Sequence, residues 1–152
     1  IQQLQDNVLD IVFTSVPWKR AGYECEIFDT DRLLLVTGKG ENAYPNGVTK
    51  EQVATLPYLL CDFSMSEAGR FIHSLFPENH AFRLEVDNSS KLFPYLKRGI
   101  GYSFLPYKAV KKELETGILE EVPLLGFTPP AFITYIIYRQ SYSPAEFLKF
   151  AK

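Results

Sequence analysis

Residues 82–106 read FRLEVDNSSKLFPYLKRGIGYSFLP, and this run changes from a strand pattern to a helix pattern and back. It predicts a short strand that ends at Val86, a helix from about Asn88 to Gly99, and a second strand that ends at Leu105. A strand, a helix and a strand in succession are typical of a unit in which the two strands lie parallel.

The same alternation extends outward in both directions. Further strands are predicted over residues 9–13, 23–28, 32–36, 58–61, 118–122 and 131–138. Capping boxes predict three helix starts between or after them, at Thr49 with Gln52, Ser64 with Glu67, and Ser143 with Glu146. Pro94 should bend its helix or confine the regular part to one side, and residues 39–47 form the longest polar loop. The fold class is therefore predicted to be α/β with mainly parallel sheets.

The composition and net charge limit the classes of function that this chain can have. The 152 residues are 46% hydrophobic and 14% aromatic, which suffices for one good core or two small lobes. The net charge is −2 without a basic run, so nothing provides an electrostatic track for a phosphate backbone. This segment is therefore not expected to be a DNA-binding surface itself.

The two cysteines, Cys25 and Cys61, lie on apolar, strand-like stretches and are expected to be free thiols, although a disulfide between them stays open. No stretch approaches the roughly 20 apolar residues of a membrane span, and no signal peptide opens the chain. The expected location is cytoplasmic.

Several segments, in this order, resemble the effector-binding domain of LysR-type transcriptional regulators from its middle to its C-terminal end. They are NVLDIVFTS at 7–15, DRLLLV at 31–36, VTKEQVATLP at 48–57, EVDNSS at 85–90, RGIGYSFLP at 98–106, GILEEV at 117–122 and ITYIIYR at 133–139. The resemblance rests on their order along nearly the whole chain, since each segment alone is a weak signal.

The resemblance implies a type 2 periplasmic-binding-protein fold, in which two crossing strands connect two α/β lobes with a ligand cleft between them. Residues 33–133 would form lobe II, and residues 1–32 and 134–152 would be what remains of lobe I. The family's winged helix-turn-helix and its first strand–helix–strand unit have no counterpart here. That unit is expected to be truncated, disordered or supplied by another copy. The resemblance also implies homodimers and, at full length, homotetramers.

Candidate ligand-binding residues follow from the expectation that ligands sit at the carboxyl ends of strands, where free helix amides favour anions. The candidates are Thr14, Ser15, Ser64, Ser66, Asn88 and Ser89. The resemblance adds Phe104 and Pro106, because the matching segment of the family lies beside the cleft. Each hydroxyl or amide among them also has a simpler explanation as a helix cap worth about 1 kcal/mol. For Phe104, the simpler explanation is a place in the strand core.

Catalytic machinery is sparse. His73 and His80 have no nucleophile nearby in sequence, and there is no phosphate loop, nucleophile elbow or metal-ligand spacing. Neither a cofactor nor enzymatic activity is therefore expected. The predicted function is sensing of a small, anionic effector for a transcriptional regulator that contacts DNA through a domain outside this chain.

Two alternatives stay open on the same fold. One is the solute-binding protein of a transporter. The other is a dehydratase-like enzyme that would use Glu24, Glu26 or Glu67 as its acid or base.

Overall fold

The computed structural model describes residues 2–5, 11–63 and 66–141. Contacts divide the chain into two compact units: unit 1 comprises Ile1–Thr30 and Ile133–Lys152, and unit 2 comprises Asp31–Phe132. The chain thus passes between the units twice. That the units are the lobes of a ligand-binding domain stays a prediction.

The secondary structure alternates as the sequence predicts. The strands are β1 Ile11–Thr14, β2 Tyr23–Asp31, β3 Leu33–Gly38, β4 Val48–Thr49, β5 Leu59–Cys61, β6 Leu84–Val86, β7 Ser103–Pro106, β8 Leu119–Glu121, β9 Leu124–Leu125 and β10 Phe132–Arg139. The helices are α1 Gln2–Gln5, α2 Lys50–Val53, α3 Glu67–Ser74, α4 Phe93–Lys97 and α5 Tyr107–Glu115, with a 3-10 turn at Ser89–Leu92 before α4. The two-residue strands β4 and β9 were not predicted, because they are too short to show a period.

The larger sheet of unit 2 has the strand order β6-β5-β7-β3-β8. β5 pairs with β6, β3 pairs with both β7 and β8, and a bridge between Tyr58 and Tyr102 joins the two groups. Two backbone hydrogen bonds secure that junction, from the Leu59 amide to the Tyr102 carbonyl at 2.8 Å and from the Tyr102 amide to the Pro57 carbonyl at 2.9 Å.

The sheet is mainly parallel, as predicted, but one of its strands runs in the opposite direction. β5 is parallel to β6 and, through the bridge, to β7, whereas both ladders of β3 are antiparallel. Four strands of this sheet therefore point the same way, and β3 alone runs against them. The chain from β3 to β7 passes through three helices and three other strands, so β3 and β7 do not form a single β-α-β unit and need not be parallel.

The core of unit 2 covers both faces of this sheet. Leu33 and Leu35 of β3 belong to the cluster on one face, where α2 and α3 pack, and Leu34 and Val36 belong to the cluster on the other, where α4 and α5 pack. All of β3 is buried, which explains its unbroken apolar run. The unit is a three-layer arrangement with helices on both sides of the sheet.

One predicted helix start is confirmed and one is corrected. Thr49 and Gln52 form the reciprocal capping box at α2. The cap of α3 is Ser66 rather than Ser64, because the Ser66 hydroxyl accepts the Gly69 amide at 3.0 Å and the helix begins at Glu67. Ser64 and the predicted helix start at Ser143 lie outside the described residues.

The helix predicted from Asn88 to Gly99 consists of two segments, a 3-10 turn and the α-helix α4. A 3-10 turn comes first, and Pro94 then lies in the first turn of α4, where its missing amide costs nothing. Gly99 follows α4 with a φ of 70°, as a left-handed helix end requires.

Unit 1 is built on a sheet in the order β1-β10-β2. β10 pairs antiparallel with β1, Ile11 facing Tyr138 and Thr14 facing Tyr135. On β2, the Glu26 carboxylate accepts a hydrogen bond from the Tyr138 hydroxyl at 3.0 Å, and burial together with this bond raises the pKa of Tyr138.

Candidate functional site

The carboxyl ends of β6, β5 and β7 lie side by side at one edge of the unit 2 sheet. β5 and β6 are in register, Cys61 facing Val86, and the Asp62 amide continues the ladder to the Val86 carbonyl at 2.9 Å. Because the three strands are parallel neighbours, the residues that follow them share this edge. Ser66, Asn88 and Pro106 are therefore brought to one side of unit 2.

At the start of α3, the side chain at this edge is buried and fixed by two hydrogen bonds. Ser66 is 4% exposed, and its hydroxyl accepts the Gly69 amide and donates to the Phe63 carbonyl at 2.6 Å. The amides of Glu67 and Ala68, in the first turn, have no partner within the helix. Ser66 thus orients a helix N-terminus whose amides favour a negatively charged group.

The turn after β6 contains two predicted residues with different surroundings. The Asn88 side-chain oxygen accepts the Ser90 amide at 2.9 Å and the Ser90 hydroxyl at 2.8 Å, so Asn88 caps its own 3-10 turn. Ser89 is half-buried and makes no side-chain hydrogen bond with the described residues. Of the two, Ser89 has its hydroxyl available to a ligand.

A shallow depression of about 360 Å³ lies beside the ends of β5 and β6, and its lining is acidic. Asp62, Glu85, Val86, Asp87 and Lys91 line it. Lys91 donates to the Asp87 carboxylate at 2.7 Å, and this hydrogen bond and charge hold the pKa of Asp87 below its usual value. Carboxylates outnumber cations here, so this depression does not favour an anion.

Within β7, Phe104 is fully buried among aromatic rings. Its ring centroid lies 6.1 Å from that of Phe71 and 6.3 Å from that of Tyr58, and its amide donates to the Tyr58 hydroxyl at 2.8 Å. The Phe104 side chain is therefore part of the core. Pro106, also buried, stands at the N-cap position of α5.

The candidate Thr14 is the last residue of β1 in unit 1, and the candidate Ser15 follows it. The Thr14 hydroxyl accepts the Val16 amide at 3.2 Å, which stabilises the turn that follows the strand, and Ser15 is half-buried beside it. Both residues stand at the carboxyl end of a strand, as predicted. Their role in a ligand site stays a prediction.

The sequence interpretation missed the acidic residues at the same edge. Asp62 follows β5 directly, and Asp87 follows β6 at a spacing of four residues before Lys91. Both positions were visible as charged residues after predicted strands. They are acceptors, whereas the sequence candidates for this edge were hydroxyl and amide donors.

The sequence matches the LysR substrate binding domain family over residues 1–151. The chain belongs to this family. It is thus an effector-binding domain of the LysR type, with a fold similar to type 2 periplasmic-binding proteins, and both predictions are confirmed. No curated protein matches the sequence.

Solved structures of LysR-type regulators share the fold of this LysR-type domain. The reduced OxyR regulatory domain from Pseudomonas aeruginosa superposes with a TM-score of 0.75 at 16% identity, covering 97% of this chain and 72% of that one. A cysteine mutant of OxyR from Corynebacterium glutamicum gives 0.70 at 16% identity, covering 97% and 47%. The MetR regulatory domain from N. meningitidis gives 0.72 at 14% identity, covering 97% and 69%.

This LysR-type domain spans about half the length of the Corynebacterium OxyR chain and of a full-length OxyR chain from Pseudomonas aeruginosa. At such low identities the likeness concerns the fold alone. Within the described ranges, no helix is long and apolar enough to cross a membrane.

The two cysteines of the LysR-type domain are both free, as predicted, and their surroundings differ. Cys25 is half-buried, whereas Cys61 is 1% exposed at the end of β5. Burial, with the nearby charges of Asp62 and Asp87, raises the pKa of the Cys61 thiol to about 11. Cys61 therefore stays protonated and unreactive at neutral pH.

We expect iodoacetamide at pH 8 to modify Cys25 on the order of a hundredfold faster than Cys61, because the attacking species is an accessible thiolate. Peptide mass spectrometry over a time course measures both rates in one sample. In guanidinium chloride the two rates should converge. Equal rates in the folded protein would contradict the burial of Cys61.

Proposed function

We propose that this domain senses a small anionic effector for a LysR-type transcriptional regulator, and that it acts by binding rather than by catalysis. The start of α3 carries the proposal. There, a buried serine cap orients the helix amides of Glu67 and Ala68 beside the ends of two further parallel strands. Fixed backbone amides at a helix N-terminus form a ready site for a carboxylate, sulfate or phosphate.

The anionic preference rests on α3 and on the hydroxyl of Ser89, in the turn after β6. The acidic lining of the depression at Asp62 and Asp87 limits where an anion can sit, since it would repel negative charge there. An effector whose anionic group faces α3, with any positive group toward the depression, satisfies both surroundings. Amino acids are therefore a natural part of a ligand screen.

The proposed mechanism is allosteric. Effector binding would change the closure of the two lobes about the crossing strands, and with it the arrangement of subunits in a homodimer or homotetramer. The DNA-binding domains of the full regulator would then meet their operator differently. A ligand achieves this only if its affinity differs between the two arrangements. The cytoplasm is the proposed location, because such a regulator acts on DNA.

The two alternatives receive less support. A transporter's solute-binding protein shares the architecture, but the chain matches the regulator family. For a dehydratase, Glu24 and Glu26 lie in unit 1, where they accept hydrogen bonds from Gln140 and Tyr138. Glu67 is exposed at the first position of α3. In the part of the chain that the structure describes, none of these carboxylates belongs to a cluster of His, Cys, Asp and Glu that could hold a metal ion.

Thermal unfolding of the full-length protein against carboxylates, sulfur anions and amino acids tests the proposal. An effector at a hundred times its Kd should stabilise the protein by about 2.7 kcal/mol. For a domain of this size that is a rise in Tm of about 5–10 °C. Ser89→Ala should leave the unliganded Tm within about 1 °C, because the Ser89 hydroxyl makes no hydrogen bond with a described residue.

The same variant should weaken effector binding by roughly 10- to 100-fold, the loss of one hydrogen bond to a charged group. Ser74→Ala is the matched control, since Ser74 is exposed and its hydroxyl donates to the Phe71 carbonyl at the far end of α3. It should bind like the wild type. Shifts from cationic amines alone would refute the anionic preference, and no shift with any compound would refute sensing.

A further inference from the structure

Unit 2 concentrates positive charge on the helices that cover one side of its sheet. Residues 88–112 contain six cations and no carboxylate, although the whole chain has a net charge of −2. All six are exposed, namely Lys91, Lys97, Arg98, Lys108, Lys111 and Lys112. Lys91 is paired with Asp87 at 2.7 Å. The six are spread over a turn and two helices, so the sequence contains no basic run from which a DNA contact could be predicted.

The other five cations lie on the same layer of the fold. Leu96 of α4 and Val110 of α5 are fully buried in the cluster that covers this side of the sheet. Both helices also reach the end of β3: a Cβ on Gly38 would contact the Leu96 carbonyl oxygen, and the Lys39 amide donates to the carbonyl of Ile118, after α5, at 3.0 Å. The exposed sides of α4 and α5 are therefore neighbours. We call this surface the basic face, and it comprises Lys97, Arg98, Lys108, Lys111 and Lys112.

Carboxylates lie around the basic face but leave most of its charge unpaired. Asp31 accepts the Lys108 amide at 2.8 Å, which caps α5 and offsets part of the charge at its start. Glu115 lies at the end of the same helix, and the Glu41 carboxylate lies beside Gly99. Apart from Lys108, none of the cations of the basic face makes a salt bridge with a described residue. The face therefore presents free positive charge to solvent.

Helix stability accounts for only part of this charge. Lys97 and Lys112 lie in the last turns of α4 and α5, where a cation interacts favourably with the helix dipole. Lys108 lies in the first turn of α5, where the dipole opposes it. Its charge also has the same sign as those of Lys111 and Lys112, three and four positions further on, a spacing at which like charges destabilise a helix. Binding of a negatively charged partner would explain why α5 carries these charges.

We propose that the basic face contacts the phosphate backbone of duplex DNA beside the site that the regulator's DNA-binding domain recognises. Four of its five cations are lysines. Lysine is depleted in protein–protein interfaces, whereas phosphate contacts that are independent of base sequence are made by Lys and Arg. The composition of the face thus favours DNA over an acidic protein surface. Such contacts add affinity and position the protein, and they do not read the bases.

This inference rests on the proposed function, since DNA is near the domain only if the domain belongs to a DNA-binding regulator. DNA held by the other domain is present at a high effective concentration, so a few exposed cations suffice for contact. Each phosphate contact releases counterions, and the salt dependence of binding therefore counts the contacts.

The test measures binding of the full-length protein to a random-sequence duplex of about 60 base pairs, without effector, at about 50–200 mM KCl. Lys111→Gln with Lys112→Gln should make the slope of log K against log salt concentration shallower by about 1–2. At the lowest salt concentration, the same pair should weaken binding at least about fivefold. Lys97→Gln with Arg98→Gln should change both quantities in the same direction.

Lys50→Gln with Arg83→Gln is the matched control, because it removes the same charge from two exposed positions outside the basic face. Lys50 begins α2, which packs on the opposite side of the sheet. The control should change the slope by less than about 0.5. All three variants should keep their Tm within about 2 °C. Equal losses in the control and in the variants of the basic face would overturn the proposal, because net charge rather than position would then be responsible.

Acetylation of lysine amines locates the contact in the wild-type protein, without any substitution. DNA should slow the acetylation of Lys97, Lys111 and Lys112 at least about threefold and leave that of Lys50 unchanged, as measured by peptide mass spectrometry. If Lys111 and Lys112 are not protected, the proposal is overturned even where the variants bind DNA weakly, since the weaker binding would then have another cause.

Polyglutamate in place of DNA separates the two classes of acidic partner. Protection of the same lysines at a charge concentration equal to or below the one that DNA needs would assign the basic face to an acidic protein and overturn the proposal. A need for a higher concentration supports DNA. Because no effector is present in these experiments, their outcome is independent of the effector screen that tests sensing.

Discussion

Gly101→Ala is expected to destabilise the protein by about 3 kcal/mol, the upper part of the range for overpacking a buried site. Gly101 is buried immediately before the Tyr102 bridge that joins β5 to β7. A Cβ there would contact the Pro57 carbonyl oxygen and lie 2.9 Å from Cγ of Leu59. The Pro57 carbonyl cannot retreat freely, because it accepts the Tyr102 amide at 2.9 Å.

Thermal or urea unfolding measures the effect, which corresponds to a fall in Tm of about 6–12 °C. Gly40→Ala is the matched control, since Gly40 has open space around its Cβ position and a φ of 80°. It should lose about 1 kcal/mol from backbone strain alone. If Gly101→Ala costs no more than Gly40→Ala, β5 and β7 do not approach as closely as described.

Tyr58→Phe is expected to destabilise the protein by about 1–3 kcal/mol, because it leaves a buried amide without a partner. The Tyr58 hydroxyl accepts the Phe104 amide at 2.8 Å, and both residues are at most 1% exposed. The exposed Tyr95 is a control: Tyr95→Phe should change stability by less than about 0.5 kcal/mol.

The effect of Tyr58→Phe should also depend on pH. Burial raises the pKa of Tyr58 in the folded state above its unfolded value of 10.0. The unfolded chain therefore loses this proton first, and the stability that the group contributes declines as pH rises above 10. The difference between wild type and variant should narrow from pH 7 to alkaline pH in urea unfolding. A constant difference would argue against a buried hydroxyl.

The sequence predicted the elements well where one local pattern dominates. Leu33 to Val36 is apolar on both faces because β3 is buried on both faces, and Thr49 with Gln52 forms a cap within a single turn. The order of strands and helices followed from such local signals, whereas the family followed from the resemblance of the ordered segments. The helix start at Ser66 was displaced by two residues because two serines there are equally good caps.

Other features depend on residues that are distant in sequence. The reversed direction of β3, the cap that Asp31 supplies to α5 and the bond from Phe104 to Tyr58 each join positions at least 46 residues apart. No periodicity encodes such pairs. The acidic edge beside Ser89 likewise depends on the pairing of β5 with β6. That pairing brings together Asp62 and Asp87, which lie in different segments of the sequence.

The reversed strand β3 has a consequence for biosynthesis. Its partners β7 and β8 lie more than sixty residues further along the chain, so β3 leaves the ribosome long before either can pair with it. At about 5–20 residues per second the wait lasts several seconds. During it, the run Leu33-Leu34-Leu35-Val36 is an apolar, strand-forming segment with both edges open, the kind that nascent chains aggregate through. Chaperone binding to this segment during synthesis would protect the yield of folded protein.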